Sequence, residues 1–235
     1  MRQFLVYDQL SPCPYLAGRV ARMPLRRSVG MTALDFDGCL AVGDRRMGTL
    51  LYRTQCPNCQ ACEPIRIPVQ DFQPHRSQRR TMKKGVALLE VRVGPAECDD
   101  QRVELFNRHK HLRQLDHGED GDLDRDGYCE FLVDSCCQTL EFSYWHAGEL
   151  VAVAISDRGL TSLNAVYCYY EPAFQLLGLG TFNVLQQIEM CRTWQLTYLY
   201  LGYYIAQSPH MLYKSHFLPH ERLLDNRWQR FDTNE

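Results

Sequence analysis

Apolar and polar positions along this chain switch between a two-residue and a 3.6-residue period, and the switches mark out its elements. Pro64-Ile-Arg-Ile-Pro68-Val alternates as a short strand does. Arg76, Arg79, Arg80, Lys83 and Lys84 then fall at i, i+3, i+4, i+7 and i+8, one face of a helix with Gly85 as its natural stop. Val86, Leu88, Leu89, Val91 and Val93 predict a strand that Gly94-Pro95 breaks, and a domain boundary is expected there, between 1–95 and 96–235. Val103, Leu105, Phe106, Leu112 and Leu115 recur at helical spacing over 97–115, ahead of an acidic loop and a helical segment from Tyr128 to Val133.

Beyond that point strands alternate with helices. Leu140 to Tyr144, Leu150 to Ser156 and Thr161 to Tyr170 are rich in β-branched or aromatic residues, and Asp157-Arg-Gly159 reads as the hairpin turn joining the last two. Gln175-Leu-Leu-Gly178-Leu-Gly180 leads into an amphipathic run through Phe182, Leu185 and Ile188 to Trp194, and Tyr198 to Ile205 reads as a last strand. The expected fold class is α/β (α+β): a mixed-sheet C-terminal domain with a smaller, cysteine-bearing N-terminal α+β domain.

Composition narrows the partners. The chain has 235 residues, 45% of them apolar, enough for one sizeable core or two smaller ones. Its net charge is only −2, so affinity for a polyanion must come from a local patch. The five cations at 76–84 form such a patch, and they repel one another by roughly 0.2–0.5 kcal/mol per pair in a free helix. A polyanion that neutralises the face is a physical reason to keep them, and a structured RNA gripped through its phosphates suits the patch better than base reading. The N-terminal segment lacks a secretory apolar stretch and no run suffices to cross a bilayer, so the expectation is a cytoplasmic protein with no membrane partner.

Eleven cysteines in a reducing compartment read as thiols, core residues or metal ligands rather than disulfides. Cys56, Cys59 and Cys62 stand at two-residue intervals in a loop, with Cys13 presented by Ser11-Pro-Cys-Pro-Tyr15-Leu16. Four thiolates around one centre suit structural zinc or an iron–sulphur cluster, and a disulfide switch is the third reading. Two other patterns carry less. Asp122-Leu-Asp124-Arg-Asp126-Gly127 imitates an EF-hand opening, but Val133 stands where calcium needs a bidentate glutamate. Strand, QxxGxG turn and helix are how acetyltransferases of the GNAT type hold coenzyme A pyrophosphate on free backbone amides, which makes an acetyl-CoA enzyme one reading of 175–194.

Several segments together resemble the bacterial leucyl-tRNA–protein transferases (aspartate/glutamate leucyltransferases), relatives of the arginyl-tRNA–protein transferases. They are Cys13-Pro-Tyr-Leu16, Leu51-Tyr-Arg53, Cys56-Pro57 with Cys59 and Cys62, Pro64 to Val69, and Arg76-Ser-Gln-Arg79-Arg80. Leu163-Asn-Ala-Val-Tyr167, Leu179-Gly180-Thr181, Gln187-Ile188, Tyr198 to Tyr203, Met211-Leu-Tyr213-Lys214 and Asn226-Arg-Trp228 continue the match in order. Departures are Ser208-Pro-His210 where the family tends to carry a basic residue, Gln114 in place of a histidine, and Tyr204 in the family's Gly-Tyr-Trp-Ile; Gly178 is not part of the family pattern.

The resemblance implies a GNAT-like catalytic domain and an enzyme that moves leucine from leucyl-tRNA to an N-terminal Asp or Glu of a protein, creating a degradation signal. Arginyl transfer to the same acceptors, acetyl transfer and a non-catalytic metal-stabilised RNA-binding protein are the competing readings. Aminolysis of an aminoacyl ester by an amine of pKa about 7.7–8.0 needs no covalent nucleophile and no cofactor, which agrees with the lack of a GxSxG signature. On this resemblance Tyr203 and Lys214 are expected to donate to the ester carbonyl or the tRNA 3′ end. Gln187 would orient the amine, with Glu189 as a base. Arg76, Arg79, Arg80, Lys83, Lys84 and Tyr213 would hold tRNA or the acceptor, and Cys13, Cys56, Cys59 and Cys62 form a metal or redox site beside the reaction.

Overall fold

The computed structural model describes residues 1–113 and 121–233. Gln114, Leu115 and the first part of the expected acidic loop lie outside the described residues. The N-terminal elements are strands β1 (Arg2–Tyr7), β2 (Leu10–Pro12), β3 (Val20–Arg22) and β4 (Leu25–Val29), helix α1 (Ala33–Ala41), and strands β5 (Arg45–Met47) and β6 (Leu50–Tyr52). They build a four-stranded sheet in the order β1-β4-β6-β5, with β2 and β3 as a separate hairpin. Thr32 and Asp35 cap α1 reciprocally, which satisfies two of its otherwise orphaned N–H groups.

The remaining elements are β7 (Glu63–Pro68), α2 (Arg76–Leu88), β8 (Glu90–Pro95), α3 (Asp100–Leu112), α4 (Arg125–Tyr128), β9 (Gln138–His146), β10 (Glu149–Arg158), β11 (Ser162–Tyr170), α5 (Leu179–Thr193), β12 (Tyr198–Tyr204), β13 (His220–Leu224) and β14 (Arg227–Phe231). An eight-stranded mixed sheet runs β14-β13-β7-β12-β11-β10-β9-β8. β7 and β8 thus bring segments from before residue 96 into the sheet built by the C-terminal half. Leu150 to Asp157 of β10 are all buried because both sheet faces are covered. α2 and α5 pack on one face around Ile67, Phe142, Phe182, Ile188 and Leu199. On the other, α3 and α4 cover Val153, Ile155 and Tyr169, and α1 packs against Tyr200.

Two expectations shift. Helix α2 continues through Gly85 to Leu88, so the predicted strand over 86–93 begins only at Glu90. Packing is the reason: a Cβ on Gly85 would lie 2.3 Å from the Phe182 ring, so glycine here admits α5 rather than ending α2. The segment after the acidic loop is one turn of α4 followed by a π turn, Cys129–Val133, with Asp124 capping Gly127 N–H at 2.8 Å. The aspartates there act as helix-start groups.

The two halves are locked by a buried ion pair. Arg46 Nε donates to Asp157 Oδ2 at 2.8 Å, and both side chains are 0% exposed. The other guanidinium nitrogens donate to the carbonyls of Gly48, Asp134 and Leu132, while Thr139 donates to Asp157 Oδ1 at 2.7 Å. Removing one partner strands an uncompensated charge in the core. Arg46→Met is therefore expected to lower unfolding free energy by about 3–5 kcal/mol in urea denaturation. A loss below about 1 kcal/mol would show that the pair carries no such role.

Candidate active site

Strands β11 and β12 form the one parallel pair among the described residues, and they stay together only through Ser162–Tyr198, Leu163–Leu199 and Asn164–Tyr200. Past that point β11 keeps only β10 and β12 only β7, so the sheet opens into a V. Gly202 helps to set this opening. Its φ of +79° accompanies a register shift against β7 between Tyr200 and Tyr203. The alternation Tyr198, Tyr200 toward α1 and Leu199, Leu201 toward α5 is thereby broken, and Tyr203 turns to the N-terminal sheet.

Arg45 of β5 enters the V. Its Nη1 donates to Asn164 Oδ1 at 2.9 Å and its Nη2 to the Ala165 carbonyl at 3.4 Å. The guanidinium carbon lies 2.6 Å from where a Cβ on Gly202 would stand, so it rests on bare backbone. Around it are Tyr15, Tyr203, Tyr213 and Lys214, each close enough to feel its charge.

Lys214 lies in a short 3-10 turn, Leu212–His216, and its Nζ donates to the Tyr203 carbonyl at 2.6 Å. Burial first, and then the Arg45 charge, lower its pKa to about 7. An amine of this kind exchanges protons at neutral pH. Tyr213 is 42% exposed over its whole side chain, yet burial around its hydroxyl pushes the pKa up to about 12, with Cys168, Arg45 and Tyr170 as charged or titratable neighbours. It is a protonated donor at neutral pH whose hydroxyl makes no hydrogen bond among the described residues.

Tyr203 is buried, donating to the Gly43 carbonyl at 3.2 Å and accepting from Thr54 N–H at 3.3 Å. Its proton is committed here, so it braces the cleft wall. Tyr52 packs edge-on against it at 6.3 Å. Gln187 is fully buried on the α5 side of the sheet, donating to Asn183 Oδ1 at 2.8 Å, and Tyr144 donates to the same oxygen. Glu189 pairs with Arg192 and lines a different recess, of about 250 Å³, between α2 and α5 beside Arg79 and Lys83. Sequence reading grouped Tyr203, Lys214, Gln187 and Glu189; the structure puts the first two at the V and the last two elsewhere.

The cations of α2 are all exposed. Gln78, the one buried polar residue of this helix, donates to the His216 carbonyl at 3.2 Å, tying the basic helix to the turn that carries Tyr213 and Lys214. Cys13 is held by the β2–β3 hairpin, where its N–H donates to the Arg19 carbonyl at 2.8 Å. The Cys62 thiol is pushed up to about 12, by burial first and then by Cys56, Cys13 and Cys59, so the four sulfurs are neighbours. Among the described residues no three His, Cys, Asp or Glu side chains stand ready-arranged around an ion.

Sequence reasoning missed Arg45. It sits between Asp44 and Arg46 in a three-residue strand, too short for any period to single it out. Tyr15, Tyr52 and Asn164 fell inside quoted motifs but carried no assigned role. The QxxGxG turn has a local explanation, because Gly178 adopts φ +66° to start α5, with Thr81 at 3.4 Å from its would-be Cβ.

The family model described as arginine-tRNA-protein transferase, N terminus, matches residues 11–80, and that for the C terminus matches residues 101–224. An aspartate/glutamate leucyltransferase of Stenotrophomonas maltophilia is 39% identical over 233 residues, covering 95% of this chain and 91% of the relative. Those of Chromobacterium violaceum and Thiobacillus denitrificans are 37% and 35% identical, covering 93% and 94% of this chain and 90% and 92% of theirs. Among solved structures, that of FemX aligns with a TM-score of 0.48 at 8% identity, over 80% of this chain and 64% of its own. No helix among the described residues is long and apolar enough to cross a membrane.

Lys214 gives the site a measurable signature. Its folded pKa of about 7 lies below its ordinary 10.5, so between those values the unfolded chain binds more protons and this group's contribution to stability rises with pH. The burial penalty is full below about pH 7 and gone above about 10.5. Lys214→Met is thus expected to gain most relative to wild type at pH 6–7 and to lose that gain by pH 10. Urea midpoints across this range measure it, and a pH-independent difference would refute the shift.

Proposed function

The chain belongs to the family of arginine-tRNA-protein transferases and aspartate/glutamate leucyltransferases, and we propose that it transfers leucine from leucyl-tRNA to the N-terminal Asp or Glu of a protein. The observation that carries this is the pair of family matches spanning both halves, joined to relatives that match over 93–95% of this chain and 90–91% of their own and carry the leucyltransferase name. The same matches leave the acetyl-CoA reading without support.

The geometry suits aminolysis. The acceptor's neutral α-amine attacks the ester carbonyl carbon; a C–N bond forms and the bond to the terminal ribose oxygen of tRNA breaks. Neutral Lys214 takes the proton released by the amine and returns one to the departing ribose oxygen. Its pKa near 7 leaves a useful fraction neutral and makes both transfers nearly balanced. The Tyr213 hydroxyl donates to the oxygen that gains charge. No acyl-enzyme forms. The tRNA body lies along α2, where Arg76, Arg79, Arg80, Lys83 and Lys84 meet phosphates, and the Gln78–His216 bond holds that helix against the Lys214 turn.

The four cysteines fit a soft metal by donor type. Cys13, Cys56, Cys59 and Cys62 would hold zinc or an iron–sulphur cluster, which when bound supplies a cross-link between the β2–β3 hairpin and the loop before β7. Because Cys13 lies two residues before Tyr15 and Cys56 four after Tyr52, such a cross-link would restrain the segments that carry both tyrosines.

Radiolabelled leucyl-tRNA and peptides beginning with Asp, Glu, Lys or Arg test the reaction. Label is expected on Asp and Glu peptides only, with Lys214→Met slowing kcat by about 10² or more; transfer only to Lys or Arg peptides, or none, would refute it. Metal analysis of anaerobically purified protein tests the cysteines. Zinc or iron is expected in wild type and lost in Cys59→Ser, and protein free of both metals removes the metal reading while leaving the transferase reading intact.

A further inference from the structure

We propose that Arg45 is the group that receives the side-chain carboxylate of the acceptor's N-terminal Asp or Glu, and so sets acceptor specificity. This rests on the leucyl-transfer reading above and assigns its acidic-substrate selectivity to one residue. Five cations of α2 are rival candidates by charge alone, but they are exposed, and Arg79 and Lys83 border the separate recess between α2 and α5.

Three observations carry the assignment. First, Arg45 has no carboxylate partner among the described residues, whereas the arginines around it do. Arg46 holds Asp157, Arg26 and Arg53 share Asp44, and Arg66 holds Glu221. A half-buried guanidinium left without a counter-ion is costly unless a ligand supplies one. Second, its partners are neutral oxygens, Asn164 Oδ1 and the Ala165 carbonyl, which take two of its N–H groups and fix its plane while leaving other donors unbonded. Asn164 is itself held by Asp157 at 3.5 Å, so the buried ion pair of the fold orients the guanidinium. Third, Arg45 shares the V with Lys214 and Tyr213, near enough for its charge to act on both. An N-terminal Asp or Glu carries its α-amine and its carboxylate only a few bonds apart. A carboxylate on Arg45 therefore places the amine beside the proton acceptor and the ester.

The same arrangement explains a choice against amides. A carboxylate offers charge and two acceptor atoms to the guanidinium, whereas the amide of Asn or Gln is uncharged and puts an NH2 where one acceptor should be. The loss of a charge-assisted bond in such a site corresponds to about 10- to 100-fold in binding.

The test uses full-length wild type, Arg45→Ala and Arg45→Gln with leucyl-tRNA and peptides beginning with Asp, Glu, Asn or Gln, reading kcat/KM for each. Wild type is expected to favour Asp and Glu over Asn and Gln by about 10-fold or more. In both variants that preference should collapse toward unity, through a raised KM for the acidic peptides alone, whereas any change in kcat from losing the Arg45 charge beside Lys214 falls alike on all four peptides. Arg45→Gln is near in shape and still able to donate to Asn164, so it covers the case in which the alanine variant does not fold. Variants that keep the wild-type preference, or that lose rate equally on all four peptides, would overturn the assignment. Wild type that transfers leucine to none of them would instead overturn the leucyl-transfer reading itself.

Discussion

Arg46 and Asp157 stand wholly out of water and satisfy each other at 2.8 Å, with Thr139 and three backbone carbonyls taking up the remaining valences. Their burial is tolerable only because the geometry is complete. One consequence is fold: β5 of the small sheet cannot slide against β10 of the large one without breaking the pair. Another is function, because Arg45 is the next residue on the same short strand. Successive side chains of a strand point to opposite sides, so anchoring Arg46 inward sends Arg45 toward the opening between β11 and β12.

That opening depends on a second constraint, the positive φ of Gly202. A side chain there would collide with the Arg45 guanidinium. Glycine therefore meets two demands at once, the backbone turn that re-aims Tyr203 and the space for a cation. Once the V is open, Lys214 and Arg45 share it at close quarters, and burial first, with the Arg45 charge adding to it, makes the lysine an exchangeable base near neutrality. The site holds its cations ready and lets the substrate bring the negative charge.

The basic helix illustrates how far local pattern reaches. Its five exposed cations were legible from spacing alone; its anchor to the cleft was not, because the role of Gln78, buried on the opposite side of the helix, depends on the distant His216 carbonyl. Its end was not legible, because Gly85 carries a packing demand from Phe182, a residue nearly a hundred positions away, that imitates a helix stop. Gln187 and Glu189 mark the same limit: both lie on the predicted helix after Gly180, but helix orientation sends one into the core beside Asn183 and the other to a separate recess.

Although β1 to β6, α1, β13 and β14 were not read from the sequence, it determined by itself the order and type of the elements between Pro64 and Ile205, the cysteine spacing, the cationic helix face and, through motifs in register, the family. These depend on local period, spacing and residue type, all of which are written along the chain. The tertiary structure alone decided which cation faces the chemistry. Arg45 and Lys214 are separated by most of the chain, and only the pairing of β12 with β11 and β7, the turn at Gly202 and the buried Arg46–Asp157 bond bring them into one cleft. The local sequence around each residue contains no trace of that meeting, because long-range burial and hydrogen bonding, not periodicity, set it.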